Sequence, residues 1–161
     1  MSSQKPVDPV PAATLLLLRD EPEFEVLMVK RHHQIDFASG ALVFPGGKPS
    51  AGDEAPEWMD HCTGWDKFDP MQRTLRMAAI REAYEEAGIL LAENNGGSSF
   101  VGACDLESRM AVERGDLMFL DVVRDAYVRL RIDRLTLFAR WVTRTFLNKR
   151  FDTPFFVVRA P

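Results

Sequence analysis

Apolar positions follow two rhythms along this chain: short runs near both ends and one long helical repeat between them. "AATLLLLRD" (12–20) and "FEVLMVKR" (24–31) are apolar runs joined by the turn-like "DEPE", and read as two strands. "ALVFP" (41–45) is a third, stopped by Pro-Gly-Gly, while "LFARWVTR" (137–144) and "FDTPFFVVRA" (151–160) add two more. Residues 70–87 change period. Leu75, Ala79, Ala83 and Ala87, with Ala78 beside them, form a stripe of small residues at helical spacing. Asp69 is placed to cap this helix, Pro70 suits its first position and Gln72 completes a capping box. Gly88 suits a left-handed stop.

Between 48 and 69 the chain is irregular, with one helical turn expected at "PEWMDH" (56–61). After the loop "NNGGSS" (94–99), two helices are expected over about 105–114 and 117–130. Strands, a helix, a helical stretch and strands again predict an α/β (α+β) fold, a mixed sheet packed on helices.

Length and composition narrow this further. At 161 residues the chain suits one domain, 12–161, preceded by a Pro- and Ser-rich arm over 1–11. The run "LLLL" (15–18) is too short to span a membrane, and the charged "RDEPEFE" after it does not fit a cleaved leader. It is read as a buried strand. A net charge of −4 and a pI near 5.4 argue against a surface built for nucleic acid. Cys62 and Cys104 lack ligand-like spacing and are read as reduced thiols, so the expected setting is cytoplasmic, without a membrane partner.

The chemistry concentrates where helix 70–87 ends, in "REAYEEAGI" (81–89). Successive helical residues lie about 100° apart, so Glu86 sits about 40° to one side of Glu82 and Glu85 about 60° to the other. Carboxylates at a helix C-terminus oppose the helix dipole, at roughly 0.3–1 kcal/mol each. Repulsion at i,i+4 adds a few tenths, which Arg81 relieves in part. Either the face is simply solvated, or a hard divalent cation supplies the missing compensation. Mg²⁺ suits the second case, since it is commonly held by a few carboxylates together with substrate phosphates.

This segment resembles the second half of the Nudix box, G-x5-E-x7-R-E-U-x-E-E-x-G-U with U apolar. Arg81, Glu82, Ala83, Glu85, Glu86, Gly88 and Ile89 occupy its specified positions. The first half is found in "FPGGKPSAGDE" (44–54), where counting from Gly47 puts Asp53 at the position of the first glutamate. Asp53 and Arg81 are 28 residues apart where the pattern has 8, so 20 residues are inserted, over about 54–73. "GALVFPGG", "AAIREAYEEAGILL", "FARWVT" and "RFDTPFF" are similar to the interrupted-box branch of Nudix hydrolases that contains the peroxisomal coenzyme A diphosphatases.

The resemblance implies a Nudix-type α/β/α sandwich with a loop-helix-loop metal site, and cleavage of a diphosphate by water attack on phosphorus. It implies Glu82, Glu85 and Glu86 as metal ligands for Mg²⁺ or Mn²⁺, with a backbone carbonyl from Gly47. Arg81 is expected to orient Glu85 or Glu82, and Asp53 to stand behind the ligands. Arg31, Gly46 and Lys48 are the expected contacts to a small-molecule diphosphate. The base is left open among Glu82, Asp105, Glu107, Glu113 and Asp116. So is the substrate: coenzyme A or an acyl-coenzyme A first, ADP-ribose, a dinucleotide or a nucleotide sugar second, and a binding-only nucleotide domain third.

Other conspicuous residues are read more plainly. Trp141 is expected as a buried aromatic, and Met59, Met71, Met77 and Met110 as gap-filling core residues. Phe155 and Phe156 point to opposite faces of a strand, so at least one belongs to the core. The chain stops at Pro161 directly after a strand, where members of that branch continue with further strand and a closing helix. The expectation is a truncated domain, or a helical segment over 105–130 that closes the fold instead. An open sheet edge there would favour a homodimer.

Overall fold

A computed structural model of the chain describes residues 7–30, 40–94, 96, 105–145 and 149–161. The strands β1 (Val10–Pro11), β2 (Ala13–Arg19), β3 (Glu25–Val26), β4 (Val29–Lys30), β5 (Leu42–Val43) and β6 (Gly46–Gly47) come first, then helices α1 (Trp58–His61) and α2 (Pro70–Ala87). After them come β7 (Ala92–Glu93), α3 (Leu106–Arg114), α4 (Phe119–Asp125), β8 (Arg129–Leu130), β9 (Thr136–Val142) and β10 (Phe151–Arg159).

The sheet is mixed. β10 runs parallel to β1 and β2 on one side, with Phe156 opposite Leu15, and antiparallel to β9 on the other. The far edge of β2 is shared between β6 at its start and β3 at its end, both antiparallel to it. The run of four leucines is therefore a central strand, as its continuous apolar character requires. Ala13, Leu15 and Leu17 are fully buried on one face, and α2 packs on β2 and β10. The smallness of Ala78, Ala79 and Ala83, all fully buried, lets the helix come close. On the other flank of α2, Tyr84, Phe119 and Trp58 stack in a tilted row with ring centroids 5.3 and 5.7 Å apart. α2 thus lies between the sheet and the smaller helices, which explains why its buried residues extend beyond one stripe.

Several expectations change here. The run 24–31 is not one strand: β3 and β4 are separate two-residue strands, β3 pairing with β2 and β4 with β5. The second helix after the loop ends at Asp125, and Arg129–Leu130 forms a strand against Ala92–Glu93 instead. Val10–Pro11, assigned to the arm, joins the sheet beside Phe151 and Asp152. Trp141 is 68% exposed, because β9 lies at the sheet edge and is exposed along its whole length. Of the four methionines expected inside, only Met77 is buried; Met59, Met71 and Met110 lie on outward helix faces. Phe156 enters the core, and Cys62 is a free, buried thiol whose pKa burial pushes up to about 12. Cys104 lies outside the described residues. No helix among the described residues is long and apolar enough to cross a membrane.

Candidate active site

The two glycines after Pro45 bring the box together. Gly46–Gly47 pairs with Ala13–Thr14 on β2, and α2 lies across the same strand, so the glycine turn runs directly beside the last turns of α2. There the Gly46 amide donates to Glu86 Oε2 at 3.1 Å. A Cβ added at Gly47 would overlap the carboxylate of Glu82, so only glycine admits that side chain against the turn. The structure thereby places Glu82 and Glu86 against one loop, with Glu85 on the neighbouring edge of the helix.

Arg81 ties the helix to the rest of the box. Its Nε donates to Asp53 Oδ1 at 3.0 Å, its Nη1 to Glu85 Oε1 at 2.9 Å and its Nη2 to the Lys48 carbonyl at 2.9 Å. Glu82 Oε1 lies 3.0 Å from the same Nη2. Asp53 is 1% exposed, and it also accepts from the Ser50 amide at 2.8 Å. A carboxylate one methylene shorter than the pattern's glutamate still reaches Arg81, because the 3₁₀ turn Ala51–Glu54 carries it inward. Burial opposes charge on Arg81, yet the hydrogen bonds and charge of Asp53, with Glu82 and Glu85, outweigh it and hold the guanidinium above its ordinary range. Glu82 behaves oppositely: burial raises its pKa to about 7 against the attraction of Arg81, and Glu85 and Glu86 push the same way as burial. Crowding by Glu85 and Glu86 thus adds to burial in opposing the charge of Glu82.

A residue the sequence reading did not single out closes this end. Arg109, on α3, donates from Nε to the Glu85 carbonyl at 2.6 Å and from Nη2 to the Glu86 carbonyl at 2.7 Å. Nothing local in the sequence marks it, beyond an arginine in an expected helix. Gly88, at φ 70°, turns the chain back so that its amide reaches the carbonyls of Ala83 and Tyr84.

The remaining candidates separate clearly. Asp105 accepts from the amides of Glu107 and Ser108 as the cap of α3, and Asp116 pairs with Arg114 on the surface. Glu107 is exposed. Glu113 lines a cavity of about 480 Å³ together with Asp53, Arg81, Glu85, Leu117, Met118 and Phe119. Lys48 gives its carbonyl to Arg81, while its Nζ lies 5.7 Å from the centre of the Phe151 ring. Arg31 lies outside the described residues.

Among the described residues, no three carboxylate, histidine or cysteine groups already converge on a single point as a closed metal cage. The donor set nonetheless suits a hard cation: oxygens only, from three carboxylates crowded beside a glycine turn. Mg²⁺ keeps several waters and needs only one or two carboxylates plus substrate phosphates, so a closed cage is not required. Glu82, Glu85, Glu86 and the Gly47 carbonyl are the groups able to hold it.

Comparison with known proteins agrees with this geometry. No family model matches the chain. It is 26% identical over 178 aligned positions to the acyl-coenzyme A diphosphatase NUDT19 of Xenopus laevis, an alignment that covers 84% of this chain and 47% of that protein. The chain thus spans about half the length of this curated relative. A crystal structure of a NUDIX hydrolase from Alicyclobacillus acidocaldarius superposes with a TM-score of 0.78 at 27% identity, over 95% of this chain and 70% of that one. The box residues, the mixed sheet with its central helix and both likenesses point the same way: the chain is similar to Nudix hydrolases and resembles their coenzyme A diphosphatase branch.

Proposed function

We propose that the domain hydrolyses a diphosphate bond in a divalent-metal-dependent reaction, with coenzyme A or an acyl-coenzyme A as substrate. One observation carries the reaction class: Glu82, Glu85 and Glu86 crowd the C-terminus of α2, with the carboxylates of Glu82 and Glu86 seated against the Gly46–Gly47 turn. The substrate class rests on the likeness to the Xenopus acyl-coenzyme A diphosphatase. The products would be 3′,5′-ADP and a phosphopantetheine.

A diphosphate is anionic near neutral pH and repels an attacking hydroxide. Bound Mg²⁺ or Mn²⁺ would neutralise that charge, lower the pKa of a coordinated water and stabilise the leaving phosphate. The chain supplies the rest. Glu82, Glu85 and Glu86 form the anionic edge that fixes where the cation and the phosphates meet. Arg81, held by Asp53, keeps Glu85 and Glu82 in place without facing the substrate. The Gly46–Gly47 turn holds the carboxylates of Glu82 and Glu86 against the backbone. With Asp105 and Asp116 engaged elsewhere, the attacking water's proton passes to a carboxylate of α2 or to Glu113 in the adjoining cavity.

The test is product analysis by liquid chromatography with millimolar Mg²⁺, offering coenzyme A, an acyl-coenzyme A, ADP-ribose, NADH and a nucleotide sugar. Turnover of coenzyme A or its ester that vanishes in Glu86→Gln is the expected result. Turnover of ADP-ribose alone would keep the reaction and replace the substrate. Silence across the panel would overturn the hydrolase reading for this chain.

A further inference from the structure

The last four carbonyls of an α-helix have no partner within the helix. In α2 the Gly88 turn takes up the carbonyls of Ala83 and Tyr84, which is how most helices of this kind end. The next two carbonyls belong to Glu85 and Glu86. Both are taken by the single guanidinium of Arg109, in two short charge-assisted bonds of 2.6 and 2.7 Å. A clamp from another helix therefore grips the backbone of the same two residues whose side chains would meet the metal. It does so from a helix with its own anchors: Asp105 caps the start of α3, and Gly115 ends it with a left-handed turn.

Geometry and charge act together here. A helix end frays most readily in its last turn, and Glu85 and Glu86 sit in that turn. Fixing both carbonyls fixes both Cα positions, and so the reach of both carboxylates toward the glycine turn. A guanidinium at this end also offsets the helix dipole and the carboxylates crowded there. Arg81 works from the opposite side, on the Glu85 side chain.

We infer that Arg109 is a positioning residue for the metal-binding carboxylates, so that α3 sets the metal affinity of a site to which it contributes no ligand. The inference rests on the metal-dependent reading above and adds a residue to it. Mn²⁺ binding, followed by the electron-spin-resonance signal of the free ion, tests it in wild type, Arg109→Ala and Arg109→Lys. Alanine should weaken Mn²⁺ binding about tenfold or more, the size of effect seen when a supporting group behind a metal ligand is lost. Lysine, which keeps the charge but not the fork, should fall between. At saturating Mn²⁺ the kcat of Arg109→Ala should return toward wild type, and millimolar guanidinium ion should restore part of its affinity. Hydrogen exchange at the Gly88 and Ile89 amides should quicken in the same variant without metal. Unchanged Mn²⁺ affinity in both variants, or unchanged exchange at Gly88, overturns the inference while leaving the metal site intact. If alanine prevents folding, the lysine variant decides by the same criterion. A wild type that binds no Mn²⁺ at millimolar concentration overturns the metal reading itself, and this inference with it.

Discussion

The two ends of α2 are built on opposite principles. At the start, everything needed is local: the Asp69 carboxylate accepts from the Gln72 amide at 2.8 Å, and Pro70 occupies a position where its missing N–H costs nothing. At the other end, three carboxylates oppose the dipole; Arg81 on the same helix pairs with Glu82 and Glu85, and the contacts that complete this end come from distant parts of the chain. Gly46 reaches Glu86 across 40 residues, Asp53 reaches Arg81 across 28, and Arg109 reaches Glu85 across 24. A helix end that needs nothing from outside serves the fold. One that gathers three other segments around three crowded carboxylates stores an unfavourable arrangement, and such places are where sites are expected.

Substitutions at the two ends should therefore separate stability from activity. The largest effect on turnover is expected from Glu86→Gln: loss of a proposed metal ligand should remove several kcal/mol of transition-state stabilisation, on the order of a hundredfold or more in rate. Its metal-free fold should be as stable as wild type or more so, read by denaturant unfolding. The largest effect on stability belongs to Arg81→Met, which strands Asp53 as an unpaired buried carboxylate. Breaking a buried pair in this way costs about 3–5 kcal/mol, and equilibrium urea unfolding measures it directly. Gly47→Ala should displace the Glu82 side chain, weakening Mn²⁺ binding with a smaller change in stability. Asp69→Ala should cost only about 1 kcal/mol, with turnover per folded molecule unchanged. That last result would complete the contrast between the ends.

A separate expected effect is a slope with pH in the metal-free protein. Glu82 has a folded pKa of about 7 against an ordinary 4.5, so the folded state holds a proton that the unfolded state has lost between those values. Its contribution is complete below about 4.5 and is lost as pH rises through about 7, so stability should fall across that window. Asp133 and Asp152 have lowered pKa values, so their contributions are lost only as pH falls further, outside that window. Unfolding curves for wild type and Glu82→Gln should diverge between pH 4.5 and 7 and run parallel above it. Parallel curves throughout would mean that Glu82 is not held in a strained, buried state.

What was legible in the sequence follows the same division. Helix 70–87 was readable to the residue because its cap, first-turn proline and stop glycine act within a few positions of the helix itself. The central strand was readable because four consecutive leucines need cover on both faces. That Glu82, Glu85 and Glu86 share one edge of the helix end was legible from their spacing, while Asp53 could be set beside Arg81 only through the resemblance to the Nudix box. Arg109 was not, because a bond to a backbone carbonyl leaves no pattern in the carbonyl's own sequence. Trp141 and three of the methionines were misplaced for a related reason: apolar character shows what a residue prefers, not whether its strand lies at the sheet's edge. The split of 24–31 into β3 and β4 likewise depends on which strands they pair with, a long-range fact.

The most direct test of the central claim, that the charged end of α2 is completed by a cation, is thermal unfolding of wild type and a Glu82→Gln/Glu85→Gln/Glu86→Gln variant with and without Mg²⁺ or Mn²⁺. A cation bound only by the folded state at a hundred times its dissociation constant adds about 2.7 kcal/mol. Metal should raise the melting temperature of wild type and leave that of the triple variant unchanged, and the metal-free melting temperature of the triple variant should equal or exceed that of wild type. A wild type indifferent to millimolar metal, or a triple variant that melts lower without it, would contradict the account and make the cluster a structural one.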